Sequence, residues 1–223
     1  MARAIPLVLG CGRAGELVSV DLVAVPRVPA RLDRVSETMS GVLSKLTGFS
    51  DPPSPVFVAE VERDRGRIIS PGRRLDRASL ATITLPNEFE DGVQHPLGLT
   101  LGSYEVVLEG LAERSFLVIV GLPELPTMGG AKVHVLLSPT RTCVGVAMTI
   151  ALAAAVAMES QGEFLDDEVM LLGRPAPSDP RVFIDTTQAT WKSSDFIGGC
   201  TRFMRQFPSL HGWPPEASLP LEP

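Results

Sequence analysis

The chain has 223 residues, enough to bury a full hydrophobic core within one domain. With 44% hydrophobic and 21% charged residues it falls outside the polar compositions that stay disordered, and 5% aromatic residues leave little for a base-stacking platform. A formal net charge of -6 repels a phosphate backbone or an anionic membrane on average, so neither a nucleic acid nor a membrane is expected as a partner.

In chain order, Ile5 to Leu9 and Leu17 to Val25 read as two strands of a β-hairpin around the turn GCGRAG. Val18, Val20, Leu22 and Ala24 alternate there with Ser19, Asp21 and Val23. The apolar run near the N-terminus is shorter than the hydrophobic region of a signal peptide, so no targeting segment is expected. From Ala30 to Phe49, Leu32, Val35, Met39, Val42, Leu46 and Phe49 recur three or four apart, which predicts an amphipathic helix stopped near Gly48. After DPPSP the runs VFVAEVE and RIIS, joined by RDRG, read as a second hairpin. LATITLP, from Leu80, reads as a further strand. The stretch Ser103 to Arg114 is compatible with either helix or strand. Phe116 to Val120 is a buried strand, and KVHVLL and EFLDDEVMLL read as strands on either side of a long Ala-rich helix begun by the SPT turn.

That Ala-rich segment carries no charge from Thr142 to Met158, close to the lower limit for a bilayer span, but its Ala, Thr and Gly content suits a buried core helix. Gly145, Thr149, Ala153 and Ala157 recur every four positions, a stripe that lets another element, or a symmetry mate, approach closely. GRPAPSDP leads into RVFIDT, read as a strand, and Ser194 or Asp195 caps a last helix that ends at Pro208. The expected architecture is a single α+β domain over residues 1–208, an antiparallel or mixed sheet packed by two to four helices, followed by a loose tail at 209–223.

Three groups of residues raise the question of chemistry. Gly10, Gly12 and Gly15 fit G-x-G-x-x-G after an apolar run, the pattern that lets backbone approach a pyrophosphate ahead of a helix N-terminus. ELVSVDLVAVP follows instead of a helical pattern, so the glycines read as a chain reversal, with a nucleotide- or dinucleotide-binding enzyme as the alternative. The segment PLVLGCGRAGELVSVDLVAVP also resembles the strand pair that precedes the nucleotide-binding loop of FtsK-type DNA translocases. No GxxxxGK[ST] occurs in the chain, so that family's ATP-binding residues have no positions here.

The acidic cluster Glu163, Asp166, Asp167 and Glu168 would put Asp166 and Glu168 on one face of a strand. That makes them the candidate metal ligands, with Asp185 a possible third, although the favoured reading is a solvated strand start. His134 and Ser138, with Asp166 or Asp167, are a conceivable catalytic set that lacks a G-x-S-x-G elbow; His95 and His211 have no partner at ligand spacing. Cys11, Cys143 and Cys200 are odd in number and widely spaced, which predicts reduced thiols and a cytoplasmic location. Arg63, Arg65, Arg67, Arg73, Arg74 and Arg77, interrupted by Asp64 and Asp76, read as a solvated turn. No catalytic residue or cofactor is assigned. The expectation is a non-enzymatic protein-binding module of inhibitor, immunity or adaptor type, its acidic segments such as NEFEDGVQH meeting a basic partner. The third reading is a subunit of an oligomeric assembly.

Overall fold

A computed structural model of the chain describes residues 22–64, 67–88, 99–121, 133–165, 171, 179–207, 210 and 214–218. The elements in order are β1 Leu22–Val25, β2 Ala30–Arg31, α1 Leu32–Thr47, β3 Pro55–Ala59, β4 Glu62–Asp64, β5 Arg67–Ser70 and β6 Arg73–Arg74. Then come α2 Arg77–Thr82, β7 Thr84–Leu85, β8 Leu99–Leu108, β9 Arg114–Gly121 and β10 Val133–Pro139. The last are α3 Cys143–Glu159, β11 Glu163–Leu165, α4 Pro180–Thr187, α5 Phe196–Met204 and a single 3-10 turn at Pro215–Ser218. A seven-stranded sheet runs β11-β1-β10-β9-β8-β3-β6, and every described pairing in it is antiparallel. The chain is an α+β fold, as its composition and patterning lead one to expect.

Period-two alternation decides which way each strand faces. Val133, Val135 and Leu137 of β10 are buried, as are Gly121, Ile119 and Leu117 opposite them on β9, and Leu22 and Ala24 of β1 continue that row. Against this face lies α3, whose residues from Cys143 to Ala157 are all buried, with α1, α4 and α5 packed around it. The stripe Gly145, Thr149, Ala153 and Ala157 is therefore enclosed by the chain itself and unavailable to a symmetry mate. Thr142 caps α3 by accepting from the Gly145 N–H at 2.9 Å, while its own hydroxyl donates to Glu113 at 2.6 Å. No helix among the described residues is long and apolar enough to cross a membrane.

Four expectations are corrected. RVFIDT is not a strand but α4, because Asp179 accepts from the Arg181 N–H, Pro180 occupies the first turn, and the buried Pro180, Phe183, Ile184 and Thr187 follow helical spacing. LATITLP is helical at its start: Asp76 caps α2 through the Ser79 N–H, leaving only Thr84–Leu85 extended. VFVAEVE splits, β3 joining the main sheet between β8 and β6 while β4 pairs β5 in a separate hairpin. The expected N-terminal hairpin reaches the described residues only at Leu22–Val25, which form the strand β1 between β10 and β11; the rest of it falls on residues 1–21, outside the described residues. The ambiguous Ser103–Arg114 stretch is strand, turn and strand start, and the last helix is α5, capped by Asp195 and ending at Met204 rather than at Pro208.

Candidate protein-interaction groove

An open groove of about 540 Å³ lies where the sheet ends at β3 and β6 and α1 and α2 close in from the side. That size is within the range of clefts that seat a ligand or a partner's side chains. Its floor is apolar: Pro55 and Val56 at the start of β3, with Leu75 and Leu80 from the β6–α2 segment. Leu75 and Leu80 are buried, whereas Pro55 and Val56 are half-buried and reachable. The chain turns there because the Leu75 N–H donates to the Phe57 carbonyl at 2.9 Å, carrying the edge pairing one residue beyond β6 before Asp76 starts α2.

Charge surrounds this floor. Asp33, in the first turn of α1 and 8% exposed, accepts from Arg31 Nε at 3.0 Å and from a second Arg31 nitrogen at 2.5 Å. That two-point hydrogen bond holds the Asp33 carboxyl below the usual carboxylate range and raises the Arg31 guanidinium. One turn on, Glu37 takes two arginines, Arg34 at 2.9 Å and Arg77 at 2.6 Å, the second reaching across the groove from α2. Asp76 is lowered chiefly by the Ser79 backbone N–H it accepts at 2.7 Å. Arg74, on β6, lies 3.4 Å from Glu109. An apolar patch rimmed by paired charges has the anatomy that protein contact surfaces share.

The residues singled out in the sequence are not brought together here. Gly10, Gly12, Gly15, Asp166, Asp167, Glu168, His95, His211 and Cys11 lie outside the described residues, as does most of NEFEDGVQH. Asp185 is exposed on α4. His134 and Ser138 stand four residues apart on the same face of β10, about 13 Å along a strand, so they cannot form a hydrogen-bonded pair. Cys143 opens α3 and Cys200 lies in α5; both are buried, and burial pushes the Cys200 thiol up, away from a reactive thiolate. Among the described residues no group of three or more His, Cys, Asp or Glu is placed to hold a metal.

Of the arginine stretch, Arg73, Arg74 and Arg77 are exposed, as a solvated segment requires, but Arg74 and Arg77 also rim the groove. Sequence reading passes over Asp33, Glu37, Val56, Leu75 and Leu80, because groove walls drawn from three separate segments leave no local pattern. The one signal available is Asp76 three residues before Ser79, a helix-capping spacing that turns the arginine run into the start of α2. Compared with family models, curated proteins and solved structures, the chain matches none.

Proposed function

We propose that the chain is a non-enzymatic protein-binding module, of the kind that serves as an inhibitor, immunity protein or adaptor, and that its partner docks at the groove between α1, α2 and β3. The observation that carries this reading is the pairing of a reachable apolar floor, Pro55 and Val56, with a rim of arginines and carboxylates from α1, β6 and α2. Apolar anchors seated in a pocket and ringed by polar side chains supply most of the affinity of protein interfaces. The antiparallel sheet supports the same reading, since the glycine-rich dinucleotide alternative calls for a parallel one.

The test is capture from the native lysate by the tagged full chain, with mass spectrometry, beside a Val56→Asp variant whose circular dichroism and melting temperature match the parent. A stoichiometric protein recovered by the parent and lost by the variant is the expected result. Recovery of the same protein equally well by both would exclude the groove, and recovery of none would exclude the module.

A further inference from the structure

Independently of the groove, we infer that the outer face of the sheet, from β11 across β1, β10 and β9 to β8, is the contact through which two copies of this chain pair, sheet against sheet. The described helices are layered on one side only: α3 lies on the core face, α1, α4 and α5 pack on α3, and α2 packs on α1. The opposite face is apolar all the same. Cross-strand register sets Leu165, Val23, Leu136 and Val118 side by side in one row over four strands, and Phe116 and Val120 flank that row on β9. All but the buried Val120 are half-buried, and none of them joins the core on the other side. An antiparallel sheet that keeps one face in water alternates apolar with polar residues. FLVIV in β9 and LVAV in β1 are instead apolar at every position, the pattern of strands covered on both faces.

The form of this face suits a second copy. Because the row is apolar at each of its four positions, it can be laid on its own reverse, as a two-fold axis parallel to the strands requires, with no polar group set against an apolar one. Two copies also carry the same right-handed twist, and sheets of like twist are what aligned face-to-face packing joins, at about 30° and about 10 Å. Charge is answered within each copy. Arg114 pairs with Glu105 at 3.5 Å, Glu163 pairs with Arg27 at the β11 end, and β8 closes the face with the exposed, uncharged Thr100 and Ser103. Two chains of net charge -6 therefore meet at a face whose described ion pairs are already made, where their mutual repulsion is weakest. The size also suffices. Five strands about 4.8 Å apart, with β10 and β9 seven and eight residues long, give a face of roughly 500 Å², hence about 1,000 Å² for the pair, the lower bound of a specific contact.

Sedimentation equilibrium of the full chain between about 1 and about 100 µM tests this, because the mass of a reversible dimer follows concentration. The parent should approach twice the mass of the chain at the upper end. Val23→Thr with Val118→Thr keeps the shape and strand preference of both sites while setting hydroxyls into the row, so the double variant should dissociate at least about tenfold more readily. Leu136→Lys should be monomeric throughout. Val56→Asp, in the groove, should dimerise as the parent does, so this inference and the docking reading above stand or fall separately. A parent that stays monomeric over the whole range overturns the inference and assigns the face to another segment of the chain or to a different protein. A dimer that the threonine variant leaves as tight as the parent, or that Val56→Asp dissociates, overturns it too, since the contact then lies elsewhere.

Discussion

Ser115 sits on the core face of β9, fully buried between Val106 of β8 and Pro139 of β10, and its hydroxyl has no hydrogen-bond partner. A buried, unpaired hydroxyl costs about 1–3 kcal/mol, while trimming Ser to Ala removes one atom and leaves the backbone ladder intact. Ser115→Ala should therefore stabilise the fold by about 1 kcal/mol, read as a higher urea midpoint at unchanged slope. His134 presents the opposite case, on the other face of the same sheet. Partial burial lowers its pKa, so the folded chain resists taking a proton that the unfolded chain accepts near the ordinary value of about 6.5. The folded state binds fewer protons in that window, so stability is held above the unfolded pKa and drains away as pH falls through it toward the lower folded value. Comparing the parent with His134→Gln by urea unfolding between pH 7.5 and 5, the variant should show the flatter dependence; parallel curves would mean the imidazole is as well solvated as in the open chain.

At the scale of elements, α1 shows what a single sequence states openly. Its apolar residues recur at three and four, and Gly48 follows as its left-handed stop, φ 68°, donating its N–H to the Ser44 carbonyl at 3.0 Å. A side chain there would also come 2.3 Å from the Trp191 carbonyl, so Gly48→Ala meets strain from backbone and neighbour together. A loss of about 1–3 kcal/mol is expected in chemical denaturation. The strands β9 and β10 and the helix α3 are equally legible, since each keeps one period over its whole length. α4 and α2 are not, because the β-branched and aromatic residues Val182, Phe183 and Ile184 of α4, and Thr82 with Ile83 at the end of α2, mimic a strand until the capping aspartates Asp179 and Asp76 are weighed. Six- and eight-residue helices have too few turns for periodicity to outvote composition, and their caps carry the information. The pairing of β3 with β8 rather than with the next strand is likewise invisible locally, because nothing between Ala59 and Leu99 says which partner wins. The groove inherits that blindness: its floor exists only once β3, β6 and α2 have been brought to one edge of the sheet.

For the molecule as a whole, the distribution of burial says where the fold gives way first. α3 is enclosed by α1, α4, α5 and the strands β1, β9, β10 and β11, and the side chains of α3 and the core rows of those strands are almost entirely removed from water. The β3–β6–α2 edge is different: β6 is two residues long and exposed, and α2 is a helix of six residues with Leu80 as its buried anchor. Burial of apolar area scales with resistance to local opening, so the two regions should exchange amide protons by different routes. Native-state hydrogen exchange should find the amides of β9, β10 and α3 opening only with global unfolding, following denaturant with the full equilibrium slope. Those of β6 and α2 should open at much lower free energy and with a smaller slope. This has a consequence for the proposed docking surface, since half of the groove's rim is carried by that less stable edge. A partner seated on Pro55 and Val56 beside Arg74 and Arg77 would have to close the edge as it binds, and binding to the closed state alone stabilises it by mass action. Protection of the β6 and α2 amides should therefore rise with the concentration of a groove ligand while β9 and α3 stay unchanged; uniform protection across the chain would place the ligand elsewhere.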